Sequence, residues 1–522
     1  MVQAITKVSL HDIAARKLAG DFTGAAEMIS EALRDAPEDF LDASAWNLLI
    51  NQPISFDQAH DHESNVLFVT AVMLMIYELS DELDSTLVKG VIDAFLQGAQ
   101  FRLTAHSDVD VKELMAMRAR LFFQSSFVLP NHDHAFSTSV ANQWRPRVGI
   151  LFRHLRADPE TTSLLPFISQ AKKSGIELIL FVAEDSPTDA FSNRIGNSCD
   201  KVVRISQNLP TAVSQLRDAD LDVLIFGNDI TAKLSLGACL SFHKVAHRSV
   251  CTVSTLVTTA SPYIDEYFGC AFHADRGAAK EYFERFVSLP GPGFAFCFDD
   301  EKSPSQVTIS RNQLGLSERN VLFVSGANHT KLHGHLLDAW AEILRRTPES
   351  VLFLYPFPPH FGSAQQAVVE RVRSRFERHG IAPSRLIVLP QLPGRSAVKS
   401  LLLQMDIGLD SFPYPGVTTI VDSVESYLPT VTLAGQTLRS SQGAAVLFSV
   451  GAENLVAYDL PQYIESAVAL ANQPELRKEV SARIRKAMAG SPPFLDEVRF
   501  GRAAVHQYFR IHGELAQSRG AV

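Results

Sequence analysis

The stretch LDSFPYPGVTTIVDSVESYLPTVTLAGQT (409–437) holds one complete fold-forming unit. Ile407 to Leu409 is a short apolar run of the buried-strand type. A Pro/Gly loop follows, then Thr418 and Thr419 open a helical stretch that carries Asp422, and TVTLAG (430–435) returns to strand composition. Strand, loop, helix, strand is the repeating unit of a parallel sheet covered on both faces. A helix start of this kind offers free backbone N–H groups and the positive end of the helix dipole to an anion. The two hydroxyls add donors suited to a phosphate, and an acid one turn further in can accept from a ribose hydroxyl. The pattern suits a nucleoside diphosphate. It also suits an ordinary β-loop-α unit with threonine caps.

Working outward, the same alternation recurs. NVLFVSG (320–326), SVLFLYPF (350–357), RLIVLP (385–390) and IGLDSF (407–412) are strand runs with helical stretches between, and 460–519 reads as a helical tail. Upstream, VGILF (148–152), IELILFVA (176–183), KVVRI (201–205) and DVLIFG (222–227) form an earlier series, closed by the Pro/Gly-rich LPGPGFAFCFDDEKSPS (289–305). These spacings predict two doubly wound α/β units, 147–300 and 301–522, facing each other across a cleft at their strand C-terminal edges. A hinge is expected near 290–305. Residues 1–128 carry apolar residues at helical spacing and predict an all-helical N-terminal domain. KLAGDFTGAAEMISEALRDAP (17–37) resembles a single tetratricopeptide unit, but no second copy follows at that period, so a compact helical domain is expected. LPNHDHAFSTSVANQWRP (129–146) reads as the linker.

Composition narrows the function classes. The chain has 522 residues, 46% hydrophobic and 20% charged, with a formal net charge of −9. An acidic balance without a basic run argues against a nucleic-acid partner. Five cysteines without CxxC spacing fit a reducing cytoplasm. No apolar run reaches the roughly 18 residues of a membrane span; VLFVTAVMLMIYEL (66–79) comes nearest and reads as a core helix. His132 and His134 in the linker, and His329, His333 and His335 in an HxxxHxH array, are weak metal signals that lack matching cysteines or acids.

FVSGANHTKLHGHLLDAWAEILRRTPESVLFL (323–354) resembles the lysine-bearing segment of the O-GlcNAc transferase and SPINDLY-type family, and 409–437 resembles that family's following Thr-Thr-acid motif with its TLAGET-like turn. Weaker similarity runs through 148–165, 263–290 and 454–477, in the family's order. The resemblance implies a GT-B fold and an inverting, metal-independent transfer of a sugar from a UDP-sugar, UDP-glucose or UDP-GlcNAc, to a protein side chain, with no cofactor. In build it is most similar to the bacterial HMW1C-type branch. It implies that Lys331 contacts the diphosphate, that Thr418 and Thr419 bind it, that Asp422 holds the ribose, that Gln391 and Leu392 supply the main-chain segment pairing with uracil, and that Asn328 is a polar position near the phosphates. An ammonium at Lys331 would neutralise charge building on the departing UDP.

The chain departs from the family on the acceptor side. Where relatives carry an NHPTSH-like loop, this chain has RADPETTS (156–163), so Asp158 or Glu160 falls at that place with His154 upstream; Asp158 is taken as the catalytic carboxylate. STLVTTASP (254–262) replaces a GYPGT-type loop, and Val417 stands where some relatives have histidine. The main expectation is a cytoplasmic protein glycosyltransferase with a polypeptide acceptor. Transfer to a small molecule or glycan precursor, or a non-catalytic UDP-sugar- or protein-binding adaptor, are the alternatives.

Overall fold

The computed structural model describes residues 9–52, 56–79, 82–136, 145–298, 307–357 and 365–520. Residues 137–144 of the expected linker and 299–305 of the expected hinge lie outside the described residues.

The first sheet contains β1 (Arg147–Phe152), β2 (Glu177–Val182), β3 (Lys201–Arg204), β4 (Val223–Phe226), β5 (Arg248–Thr252), β6 (Glu266–Cys270) and β7 (Arg285–Leu289) in the spatial order 3-2-1-4-5-6-7. The second contains β8 (Val321–Ser325), β9 (Ser350–Leu354), β10 (Leu386–Val388), β11 (Ile407–Leu409), β12 (Thr430–Leu433) and β13 (Val456–Ala457) in the order 10-9-8-11-12-13. All of these neighbours pair in parallel, with Ile150 opposite Leu180 and Ile225 in one sheet and Phe323 opposite Leu352 and Ile407 in the other. Residues of β4, β9 and β11 are buried throughout, as parallel strands with helices on both faces must be. Each sheet starts in its middle and winds out in both directions. The strand order therefore reverses between β1 and β4 and between β8 and β11, and loops leaving those four strands meet at the crevice where such folds bind ligands.

The helical region packs as more than an appendage. Trp46 is fully buried, donates to the Phe40 carbonyl at 3.0 Å, and meets the Phe95 ring edge-on at 5.1 Å. The same apolar core continues through Phe122, stacked on Phe242 at 4.3 Å, into Phe226 and Tyr267 of the first sheet. Helices and first sheet thus share one interior, and VLFVTAVMLMIYEL is indeed largely inside it, within the helix Asp61–Glu78.

The tail differs from the sequence grouping with the second unit. Its last helix, Glu497–Gly520, returns to cover the first sheet, burying Phe500, Ala504, Tyr508 and Ile511 against Phe167 and Phe268. The return is pinned by Arg510 on buried Glu266 at 2.6 Å and by His512 on Asp222 at 3.0 Å. Helix periodicity reveals an apolar face but not which sheet it covers.

Candidate active site

A cleft of about 710 Å³ opens between the two units. The loops after β1 and β4 line one wall with His154, Asp158, Glu160, Asn228 and Asp229; the loops after β8 and β11 line the other with Lys331, Tyr414, Pro415 and Thr418. Arg102 reaches in from the helical region.

Lys331 ends a tight turn, His329–Lys331, whose entry is fixed by Asn328 Oδ1 accepting from Thr330 N at 3.1 Å. Its ammonium donates to the Pro415 carbonyl at 2.8 Å and sits 4.4 Å over the Tyr414 ring. Burial pulls its pKa down to about 8, and the carboxylate of Asp410 works against that. The amine is still mostly charged at neutral pH, and an arriving anion would hold it so.

The loop under that ammonium is braced by Asp410 at the end of β11. One carboxylate oxygen accepts from Gly416 N at 2.7 Å and Ser411 N at 2.8 Å, and the other accepts from Thr432 Oγ1 at 2.6 Å. Burial pushes this carboxyl up to about 6 despite those donors. A Cβ at Gly416 would collide with Thr419 Oγ1, so glycine lets the loop close onto the helix start. That helix, Thr418–Glu425, has no side-chain cap, so its first N–H groups are not satisfied by a capping side chain. Asp410 and Tyr414 were not singled out by sequence; an acid ending an apolar strand just before a Pro/Gly loop is the signal that marks such a brace.

The other expected residues are less uniform. Thr418 lines the cleft, whereas Thr419 faces a separate small cavity shared with Tyr355 and Asp410. Asp422 is buried and already bound: Arg395 Nε donates to its Oδ1 at 2.7 Å, while the same guanidinium also pairs with Glu425 and lies 3.6 Å over the Phe298 ring. Burial raises the Asp422 carboxyl to about 6 and Arg395 opposes it. Any ribose at Asp422 would share it with Arg395. Asn328 shapes the lysine turn and does not line the cleft; Gln391 and Leu392 follow β10 at the sheet's edge, also outside the cleft lining, with Leu392 against the apolar cluster of Leu401 and Leu402.

On the opposite wall, Asp158 caps the helix Pro159–Ala171, accepting from Thr161 N at 2.8 Å, and its second oxygen is 3.7 Å from His154 Nδ1. The expected catalytic carboxylate is thus engaged in holding a helix start. Asn228 and Asp229, which sequence reasoning passed over, sit beside Glu160; nothing in NDIT (228–231) advertises them beyond their place after a strand. The divergent loop 254–262 is tied down by Glu284, which accepts from Thr258 Oγ1 at 2.6 Å and Thr259 N at 2.8 Å. The histidine array turns away from Lys331. His333 accepts from Phe56 N at 3.2 Å, and the His333 and His335 rings lie 4.6 and 5.4 Å from His62. Linker His132 hydrogen-bonds Tyr263 at 2.6 Å. Among the described residues no three His, Cys, Asp or Glu side chains are arranged to hold a metal, and no helix is long and apolar enough to cross a membrane.

Residues 296–500 match the model of glycosyl transferase family 41. A protein of Solanum lycopersicum named "Probable UDP-N-acetylglucosamine--peptide N-acetylglucosaminyltransferase SPINDLY" is 28% identical over 324 residues, covering 62% of this chain and 33% of the relative. The Arabidopsis thaliana protein of the same printed activity named SEC is 22% identical over 401 residues, covering 74% of this chain and 39% of the relative. The chain spans about a third of the length of the curated relatives it matches. A solved structure of a mutant O-GlcNAc transferase from Thermobaculum terrenum superposes with a TM-score of 0.65 at 19% identity, covering 98% of this chain and 97% of that one. At that identity the likeness shows the fold, GT-B with its helical region.

Proposed function

We propose that this chain, which belongs to the O-GlcNAc transferase and SPINDLY-like glycosyl transferase family 41, transfers a hexose or N-acetylhexosamine from a UDP-sugar to a protein side chain. The observation that carries the reading is the half-buried Lys331 ammonium beside the uncapped start of Thr418–Glu425, in a cleft at the C-terminal edges of two parallel sheets. Cation and helix start together suit a diphosphate. UDP-GlcNAc is the preferred donor, following the relatives' printed activity; UDP-glucose is the second.

In this reading Lys331 balances the charge that grows on the departing UDP, taking the part a divalent ion would otherwise play. Thr418 and the helix N–H groups hold the diphosphate, with Thr419 and Asn328 shaping the loops beneath it. Asp422 receives the ribose alongside Arg395, and the backbone at Gln391 and Leu392 receives the uracil. The acceptor enters from the wall of β1 and β4, on the face of the sugar away from UDP, so attack inverts the anomeric centre. Asp158 holds the helix start that forms this wall. Five cysteines without CxxC spacing favour a reducing compartment such as the cytoplasm. A compact helical unit directly ahead of the first sheet favours the bacterial HMW1C-type branch as nearest in build.

Calorimetric titration of the purified chain with UDP, without divalent metal, tests the donor site. Micromolar binding that Lys331→Ala weakens supports it; no binding to the wild type sinks it.

A further inference from the structure

Four carboxylates of the first unit line the cleft; two are committed to the backbone, and Glu184 pairs with the Arg153 guanidinium at 3.5 Å. Asp158 caps its helix. Asp229 holds its own turn, accepting from Thr231 N at 2.9 Å, Thr231 Oγ1 at 2.6 Å and Ala232 N at 3.2 Å. Glu160 holds neither a helix nor a turn. It projects from the first turn of Pro159–Ala171 to the loop after β4, where Asn228 Nδ2 donates to Oε2 and Asp229 N to Oε1 at 3.4 Å. Asn228 is fixed in turn by Arg153 N, which donates to its Oδ1 at 2.7 Å. Among the described residues, then, Glu160 is oriented by an amide and a peptide N–H rather than neutralised by a cation; those two donors lower its basicity, but no ion pair adds to that.

We propose that Glu160 is the general base of the transfer, taking the proton of an acceptor hydroxyl from the cleft wall that faces Lys331. The proposal rests on the UDP-sugar reading above. In the step, an acceptor oxygen lone pair forms the bond to the anomeric carbon. The O–H proton passes to the Glu160 carboxylate. The bond from the anomeric carbon to the diphosphate oxygen breaks, and its electron pair leaves on UDP beside Lys331. The carboxylic acid then returns its proton to solvent. Asn228 is the positioning residue that aims the base.

The surroundings suit that task. Burial raises the Glu160 carboxyl to about 7, with the charges of Asp229 and Asp158 adding to the rise and the Asn228 bond opposing it. A base tuned near the working pH combines availability with proton affinity. His154, ahead of the same helix, is itself held below the ordinary histidine range by burial. Arg153 follows β1, and Tyr414, Lys331 and Arg102 face the same space. Tyr414, whose ring carries the Lys331 ammonium, feels the charges of Asp229 and Glu160, and all of these groups line the one cleft.

The test compares Glu160→Gln, Glu160→Asp and wild type by UDP titration, and by UDP release from UDP-GlcNAc with water or a serine/threonine peptide mixture as acceptor. Glu160→Gln is expected to bind UDP within about twofold of wild type yet release it at least about 10²-fold more slowly. Wild-type kcat/KM is expected to rise with pH and to level off above an ionisation near 7. Glu160→Asp keeps a displaced rise, and Glu160→Gln loses it. Wild-type turnover by Glu160→Gln overturns the base, as does a slow Glu160→Gln with an unchanged pH profile. So does a wild type that binds UDP but releases none from the sugar. A wild type that does not bind UDP overturns instead the donor reading underneath.

Discussion

The two walls of the cleft are built on opposite plans. On the second-sheet side the charged groups are tied up by protein: Lys331 on Pro415, Asp410 on two peptide N–H groups and Thr432, Asp422 on Arg395. On the first-sheet side Asp158 and Asp229 are also held, by backbone N–H groups, but Glu160 has only neutral partners and caps no helix or turn of its own. A wall held rigid by its own hydrogen bonds suits a ligand part that stays constant, such as a nucleoside diphosphate. A wall with an unneutralised acid suits the part where a proton moves. The contrast also explains why resemblance to the family is denser on one side, in 323–354 and 409–437, than on the other.

Substitutions on each wall can break the comparison. The largest expected effect is Lys331→Ala, which removes the ammonium proposed to balance the leaving group and is expected to lower kcat by about 10²-fold or more; near-normal turnover in a steady-state assay would remove the rigid wall's catalytic role. Next is acid sensitivity at the seam between the helical region and the second unit. Burial holds His62 down at about 3 and His335 at about 4. The folded state keeps these rings neutral while the unfolded chain protonates them below about 6.5. Their contribution is therefore complete above that pH and is lost as pH falls toward 3 to 4, at about 1 kcal/mol per unit for each ring. Denaturant midpoints measured from pH 7 to 4 check this, and His62→Phe should flatten the slope. Asp422→Ala follows, weakening UDP binding about tenfold through one lost charge-assisted hydrogen bond; unchanged affinity in calorimetry would mean that Arg395 alone claims this acid. The smallest is Asp158→Ala, which costs about 1 kcal/mol as a lost helix cap. If it instead abolished turnover in a stably folded protein, the division of labour between Asp158 and Glu160 would be reversed.

Legibility in the sequence followed the physics of burial. VGILF, VLFVS and SVLFL are largely apolar runs, and each is a strand within three residues of its expected limits. β5, β6 and β7 escaped notice because RSVCT, EYFGC and RFVSL carry charges that read as surface. Glu266 is buried all the same, because Arg285 and Arg510 converge on it, and Arg510 comes from the far end of the chain. No local window contains that compensation. The site divided similarly. Thr418 was readable from its place at a helix start after a strand, and Lys331 from the resemblance to the family; the structure brings both to the cleft lining. The Arg395–Asp422 pair was not readable, since it depends on how the helix Arg395–Leu402 packs against Thr418–Glu425, nor was Asn228, whose importance comes from Glu160 68 residues earlier.

The returning helix Glu497–Gly520 has a consequence for how the protein is made. One face of the first sheet, with Ile150, Leu180 and Phe268, is covered by Phe167 and Ile168 of an early helix but stays incompletely buried until Tyr508 and Ile511 have been synthesised. On the ribosome the whole second unit emerges in between, and domains ordinarily fold in order of synthesis. Here the first sheet cannot finish before the second has been translated. During that interval its greasy face is a natural client surface for a chaperone, and a premature stop within the last helix harms the unit whose strands were made first.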